Sequence, residues 1–254
     1  MIEMRGILLG TGTSYPDPTR VQSGILVEDG EHRILLDVGS GTLHRLTQLE
    51  IDFRTIDAVF ISHFHVDHCA DFLPLCQSLW LSGYDKTLHL FAPPTVRDWS
   101  RAVFDIAFKY LREKILIETT VLNENHVVPR GNLTVVTSPT LHGNYDTRAF
   151  RVEHNGKSLT FSSDTAPCRD IINLAKSTDV LIHECNWLDG VHPEGVHTSP
   201  TELAKIAEEI NPSRIVLTHL SPEVVANKDK VIEIVGRRTN AEVLLGEDLL
   251  AIDL

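Results

Sequence analysis

His63, His65, Asp67 and His68 fall within one short stretch, Ser62-His63-Phe64-His65-Val66-Asp67-His68. Imidazole and carboxylate are the donors that suit zinc, manganese or iron. A lone histidine is ordinarily a surface residue or a satisfied core residue. Four donors this close, just past an apolar run, are costly for a purely structural purpose, because every buried polar group needs a partner. Alternation aims His63 and His65 to one side while the chain is extended. Asp67 and His68 then turn toward a neighbouring point, so one segment can feed two ions. Two divalent ions about 3.5 Å apart share a water, lower its pKa toward neutrality and polarise an ester or phosphoryl oxygen. The chemistry in view is hydrolysis without a protein nucleophile.

The flanking residues indicate how the cluster is held. A β-branched and aromatic run over 56–61 reads as a buried strand that stops where the cluster begins. Similar runs recur at 6–9, 24–28, 33–37, 87–91, 115–120, 133–137, 149–153, 158–162, 180–183, 214–217 and 242–245. Between them, 42–49 spaces Leu43, Leu46 and Leu49 at helical intervals. Residues 94–114 have helical periodicity, with Val103, Ile106, Ala107 and Tyr110 on one stripe. Ser199-Pro200-Thr201-Glu202 is a capping box with proline at the first helical position, opening a helix over 201–210 that Asn211-Pro212 ends. Strands with helices interleaved in both halves predict two sheets face to face, covered by helices outside. No linker, low-complexity stretch or internal repeat divides the chain, which reads as a single domain over 1–254.

A hydrophobic fraction of 42% and an aromatic fraction of 6% match an ordinary soluble protein. No run reaches the length of a membrane span. The start, Met1-Ile2-Glu3-Met4-Arg5, has an early acid and no apolar core, unlike a secretory signal. Cys69, Cys76, Cys168 and Cys185 form no Cys-x-x-Cys pair and read as free thiols of a reducing cytoplasm. Cys69 and Cys76, seven apart, are expected on one helix face. The formal charge of −12 opposes a polyanionic partner at long range, even after two divalent ions offset part of it.

The His63–His68 cluster resembles the ligand signature of the metallo-β-lactamase superfamily, and the resemblance runs over essentially the whole chain. It implies a four-layer αββα sandwich, α/β (α+β) in class, with metals in a cleft at one edge fed by loops of both halves. It also implies three further ligands, each just past a strand. His142, Asp164 and His219 stand in that order after the runs ending at 137, 162 and 217. By the resemblance, His63, His65 and His142 hold one ion, Asp67, His68 and His219 hold the other, and Asp164 bridges them. The ions are expected to be zinc, with manganese or iron taking the same ligands, and a hydroxide between them attacks; Asp67 is placed with the catalytic residues as well.

Three more stretches resemble ribonuclease Z and its relatives: Leu9-Gly10-Thr11-Gly12-Thr13-Ser14 leading to Leu36-Asp37-Val38-Gly39-Ser40-Gly41-Thr42, then Phe161-Ser162-Ser163-Asp164-Thr165, then His183-Glu184 followed by His197-Thr198-Ser199. In that group a Glu orients a His that protonates the leaving oxygen, which implies these roles for Glu184 and His197. A carboxylate partner is expected to raise the imidazole pKa and set its tautomer. His183 reads as structural and His192 as a solvent-exposed loop residue. Gly10-Thr11-Gly12-Thr13 offers backbone N–H groups to a phosphate. Ribonuclease Z carries a long tRNA-gripping arm; here 151–158 is a plain hairpin with Asn155-Gly156 at its turn. The reading is a cytoplasmic dinuclear hydrolase of small phosphodiesters or cyclic phosphates, resembling the armless relatives. The missing arm and the acidic balance argue against tRNA. Beside it stand an ester, lactone or sulfate-ester hydrolase, a tRNA 3′-processing endonuclease, an iron-dependent sulfur oxidation and a non-catalytic binding module. The partner expected is a small molecule, with no membrane, and homodimers are frequent among the relatives.

Overall fold

The computed structural model describes residues 3–254. Met1 and Ile2, in the stretch expected not to be a secretory signal, lie outside the described residues. One sheet is built from β1 (Arg5–Gly10), β2 (Gly24–Glu28), β3 (Arg33–Val38), β4 (Ile56–Phe60), β5 (Thr87–Ala92) and β6 (Leu116–Val121). The other takes β7 (His126–Arg130), β8 (Leu133–Pro139), β9 (Arg148–His154), β10 (Lys157–Phe161), β11 (Val180–Glu184), β12 (Arg214–Thr218) and β13 (Glu242–Leu245). The last strand, β14 (Ala251–Asp253), returns to the first sheet, whose order is β14-β1-β2-β3-β4-β5-β6. The second sheet runs β13-β12-β11-β10-β9-β8-β7.

Both sheets follow one plan. β1 to β3 pair antiparallel and β3 to β6 parallel; β7 to β10 pair antiparallel and β10 to β13 parallel. Parallel neighbours need crossovers, which helices supply. In the first half these are α1 (Thr42–Gln48), α2 (Val66–Cys69), α3 (Phe72–Leu81), α4 (Val96–Ser100) and α5 (Lys109–Arg112). In the second half they are α6 (Arg169–Ala175), α7 (Pro200–Ile210), α8 (Pro222–Ala226) and α9 (Lys228–Gly236). Among the described residues no helix is long and apolar enough to cross a membrane.

Strand alternation builds three apolar layers. Leu8, Leu36 and Phe60 face between the sheets, where they meet Val135, Phe150, Phe161, Ile182 and Val216. Their sequence neighbours Leu9, Leu35 and Val59 face outward onto Leu46, Phe72, Leu75 and Leu79. On the far side, Leu181, Ile215 and Leu217 pack on Leu203, Ile206 and Ile210 of α7. Strands buried on both faces explain why the runs are nearly continuous in apolar residues. Phe60 stacks on Phe91 with ring centres 4.5 Å apart and meets Phe150 edge-on at 5.7 Å. The result is helix, sheet, sheet, helix, as the interleaving predicted.

Four details differ from expectation. β7 and β14 were not among the expected strands; β7 contains Pro129 at a sheet edge and β14 is three residues long, so neither carries a strong pattern. Residues 94–114 do not form one helix. A π-helical segment, Arg101–Ala107, separates α4 from α5. Its wider turn, marked by Phe108 N–H donating to the Val103 carbonyl, breaks the register of the expected stripe. Ile106, Ala107 and Tyr110 are exposed, Val103 is half-buried, and Val96, Phe104 and Leu111 are buried instead. Cys69 and Cys76 are both buried against the first sheet but sit on two helices, α2 and α3, not on one face of one helix. Finally α7 begins at Pro200, with the expected capping box at Ser199 and Glu202.

Phe150 lies at the centre of the layer between the sheets, so Phe150→Ala should destabilise the protein by about 3–5 kcal/mol. Denaturant unfolding checks this as a lowered midpoint with an unchanged slope.

Candidate metal centre

The cluster forms where strands of both sheets end. β3 ends beside Asp37, whose backbone is left-handed (φ 60°), a conformation aspartate tolerates better than most residues. Its buried carboxylate accepts the Ser62 backbone N–H at 2.7 Å and the Ser62 hydroxyl at 2.8 Å, and takes the His68 Nδ1–H at 2.7 Å. The chain leaves β4 extended through His65 and then closes the single turn of α2, which swings Asp67 and His68 back. Gly39 makes room for this turn: a Cβ there would lie 2.1 Å from the Asp67 carbonyl oxygen. From the second sheet come His142 after β8, Asp164 after β10 and His219 after β12. Ser163 (φ 53°) and His219 (φ 52°) are again left-handed, each just beyond a strand end.

The structure brings all seven residues together. Single donor atoms of His63, His65, His142 and Asp164 lie within 4.8 Å of one another, and so do those of Asp67, His68 and His219. His65 Nδ1 is 3.0 Å from His63 Nε2 and 3.3 Å from His142 Nε2. Asp164 stands between the groups. Its Oδ2 is 3.3 Å from His68 Nε2, 3.8 Å from His142 Nε2 and 3.9 Å from His63 Nε2, and its Oδ1 is 3.5 Å from His219 Nε2. Asp67 Oδ2 lies 3.2 Å from His219 Nε2 and 3.7 Å from His68 Nε2.

The outer partners decide what the inner atoms are. His142 Nδ1–H donates to the Val196 carbonyl at 2.7 Å, and His68 Nδ1–H donates to Asp37. Ser62 Oγ gives its proton to Asp37 and takes the His63 Nδ1–H at 3.1 Å. The Nε2 atoms of His63, His68 and His142 are then the ones turned toward carboxylate oxygens. Burial disfavours a charge on His68, but Asp164 and Asp37 outweigh it and hold its imidazole well above the ordinary value, so its Nε2 proton must leave when an ion binds. Lone pair against lone pair is repulsive unless a cation lies between. His68 Nε2 and Asp164 Oδ1 are buried with no hydrogen-bond partner. Burial pushes the imidazoles of His63 and His142 below their ordinary value, toward the neutral form that ligation requires. Donor type, outer support and orphaned atoms all fit divalent metal ions.

Beside the cluster, His197 Nδ1 lies 2.7 Å from Glu184 Oε1. Glu184, fully buried at the end of β11, also accepts the Thr165 N–H at 2.8 Å and the Asn186 N–H at 3.2 Å. The expected upward shift of His197 is not found: burial pushes its imidazole down, and burial pushes the Glu184 carboxyl up. His197 also offers an atom within 4.8 Å of ones from Asp164 and His219, so it is within ligating reach. His183 is buried behind Glu184, with Nδ1–H donating to the Glu184 carbonyl at 2.8 Å. His192 is not a freely exposed loop residue; it is half-buried and stacked on Trp187, ring centres 4.5 Å apart. Two N–H groups of the Gly10–Thr13 turn are engaged within the protein. Thr11 N–H donates to Asp248 Oδ1 at 3.0 Å and Gly12 N–H to the Val21 carbonyl at 2.8 Å. A cavity of about 430 Å³ lies over the cluster, with Thr13, Tyr15, Tyr145 and Asn186 in its wall. Asp37, Tyr145, which lies edge-on over His65 at 4.1 Å, and Asn186 are additions to the expected site.

A family model described as a β-lactamase superfamily domain matches residues 32–220. The chain belongs to this superfamily. Within the β-lactamase superfamily, a ribonuclease Z of Mycolicibacterium gilvum is 27% identical over 273 aligned positions, covering 98% of this chain and 95% of the relative. The metallo-β-lactamase fold protein YhfI of Bacillus subtilis superposes with a TM-score of 0.87 at 22% identity, covering 99% of this chain and 100% of that one. A diphosphatase from the PhnP family superposes with a TM-score of 0.77 at 18% identity, covering 99% and 98%. The four-layer metallo-β-lactamase sandwich is shared with both.

Asp37→Asn keeps the shape of the side chain but sets an amide against one of its three donors. Metal affinity should fall about 10–100-fold, read by competition with a chelating indicator, while the far-UV circular dichroism stays unchanged.

Proposed function

We propose that this chain, a metal-dependent hydrolase by its family and donor set, is a phosphodiesterase of small diesters or cyclic phosphates. The observation that carries the reading is the Glu184–His197 pair set beside the donor cluster. His63, His65 and His142 would hold one ion, Asp67, His68 and His219 the other, with Asp164 shared; zinc suits this set, and manganese or iron take the same ligands. The bound ions supply a water acidified toward neutrality and positive charge against the phosphoryl oxygens. His197 gives a proton from Nε2 to the leaving oxygen. Glu184, held in place by the Thr165 and Asn186 N–H groups, meets Nδ1 and points the ring. A diester with an alkoxide leaving group needs that proton far more than an activated ester does.

Small substrates are favoured by three features. Arg151 to Phe161 is a tight hairpin, with Asn155 (φ 50°) and Gly156 (φ 78°) at its turn and no insertion. The alignment to the ribonuclease Z relative is 273 positions long against 254 residues here, so that relative carries residues this chain lacks. The net charge of −12 opposes a polynucleotide. A second reading, tRNA 3′-end processing, is supported by the name and coverage of that same relative.

A panel on metal-replete protein tests the reading: a bis-aryl phosphodiester, cyclic nucleotides, a lactone, an aryl sulfate and precursor tRNA. Diesters should turn over fastest and precursor tRNA poorly, with two ions per chain by elemental analysis. Accurate 3′ cleavage of tRNA with a steep salt dependence would establish the second reading instead.

His197→Ala should lower turnover about 10²–10⁴-fold with alkoxide leaving groups and much less with an aryl leaving group. Metal content should stay unchanged. Loss of an ion in this variant would make His197 a ligand and end its assignment as the acid.

A further inference from the structure

His197 is a wall common to two cavities. One is the cavity over the donor cluster. The other, of about 560 Å³, is lined by Leu141, Ala166, Trp187, His192 and Glu194 among others. Its volume lies in the range of small-molecule pockets, about 300–1,000 Å³. A run of rings joins the two: His197 is 4.9 Å from His142 and 5.4 Å from His219, Trp187 stands edge-on to His197 at 4.9 Å, and His192 stacks on Trp187. The segment bearing the second cavity is tied to the candidate metal centre through Gly143 N–H, which donates to the Gly195 carbonyl at 2.7 Å, and through His142 and Val196. No lysine or arginine lines the second cavity, whereas Glu194 and Glu202 do.

Resting on the phosphodiesterase reading, we propose that this second cavity receives the leaving group of the diester and selects an uncharged aromatic one, such as a nucleoside. Water adds across the phosphorus–oxygen bond, its oxygen going to phosphorus and a proton to the leaving oxygen. If His197 supplies that proton, the group attached to the leaving oxygen extends past His197, and the space there is this cavity. The stacked Trp187–His192 pair gives it an aromatic wall. Glu194 and Glu202 repel a further phosphate, so a leaving group that continues as a polynucleotide is disfavoured.

Thymidine 5′-methyl phosphate makes the test an internal competition, because either thymidine or methanol can leave. Metal-replete wild type should release thymidine and methyl phosphate at least about tenfold faster than methanol and the nucleotide. Trp187→Leu should erase that bias by about tenfold, the loss of one base–aromatic stack, and Trp187→Phe should keep it. A 3′-phosphate added to the same substrate should slow thymidine-side release in wild type. Glu194→Lys, at an exposed position, should close that gap. Calorimetry with thymidine alone separates the two readings. Saturable binding lost in Trp187→Leu, with no diester cleaved, would leave the subsite standing and remove the phosphodiesterase. Diester cleavage with equal release of thymidine and methanol, or no thymidine binding by wild type, would overturn the subsite and leave the phosphodiesterase.

Discussion

The fold is organised around a repulsion. Asp164 is fully buried, and its oxygens face ring nitrogens whose protons have been turned away by Ser62, Asp37 and Val196. In an apolar interior such an array raises the free energy of the folded state unless positive charge, a proton on His68 or a metal ion, occupies its centre. The sandwich tolerates it because both sheets deliver donors from rigid strand ends, backed by apolar layers on either side. Stability and metal binding are therefore linked: ions that bind the folded array and not the unfolded chain stabilise the fold by mass action.

The two halves solve the same geometric problem in the same way. Each sheet changes from antiparallel to parallel pairing, and all the donors but His142, which follows the antiparallel β8, emerge at the ends of strands at or beyond that change. At three of those ends, Asp37, Ser163 and His219, the backbone turns through the left-handed region. Strained residues of this kind persist where surroundings over-determine them. Here the turn redirects the chain from the sheet axis into the cleft within a single residue. The halves share this plan with no visible repeat in sequence, because apolar alternation and a turn at a strand end accept many side chains.

Much of the architecture and of the donor set could be read from sequence for one reason: both depend on local pattern. His63, His65, Asp67 and His68 are four donors on a few consecutive residues, and the other three sit directly after strong apolar strands. The failures have the opposite character. Asp37 joins the cluster through its contacts with Ser62 and His68, 25 and 31 positions away. The π-helical segment mimics a helical stripe until its hydrogen bonds, which span five residues and not four, are counted. His192 lies in a Gly/Pro loop whose burial depends on Trp187 meeting it from another part of the chain. The Thr11 and Gly12 N–H groups looked free because their acceptors, Asp248 and Val21, are distant or unremarkable in sequence.

Asp248 carries a consequence of its own. Its carboxylate takes the Thr11 N–H, the Thr11 hydroxyl, the Val21 N–H and the Arg45 guanidinium, and Leu220, next to His219, donates its N–H to the Thr11 carbonyl. The floor of the cleft near Thr13 thus hangs from a residue near the opposite end of the chain. During synthesis every candidate ligand has left the ribosome before Asp248 does. The wall that shapes what reaches the donors therefore takes its last hydrogen-bond acceptor only when the segment beyond His219 has folded back onto Thr11 and Val21.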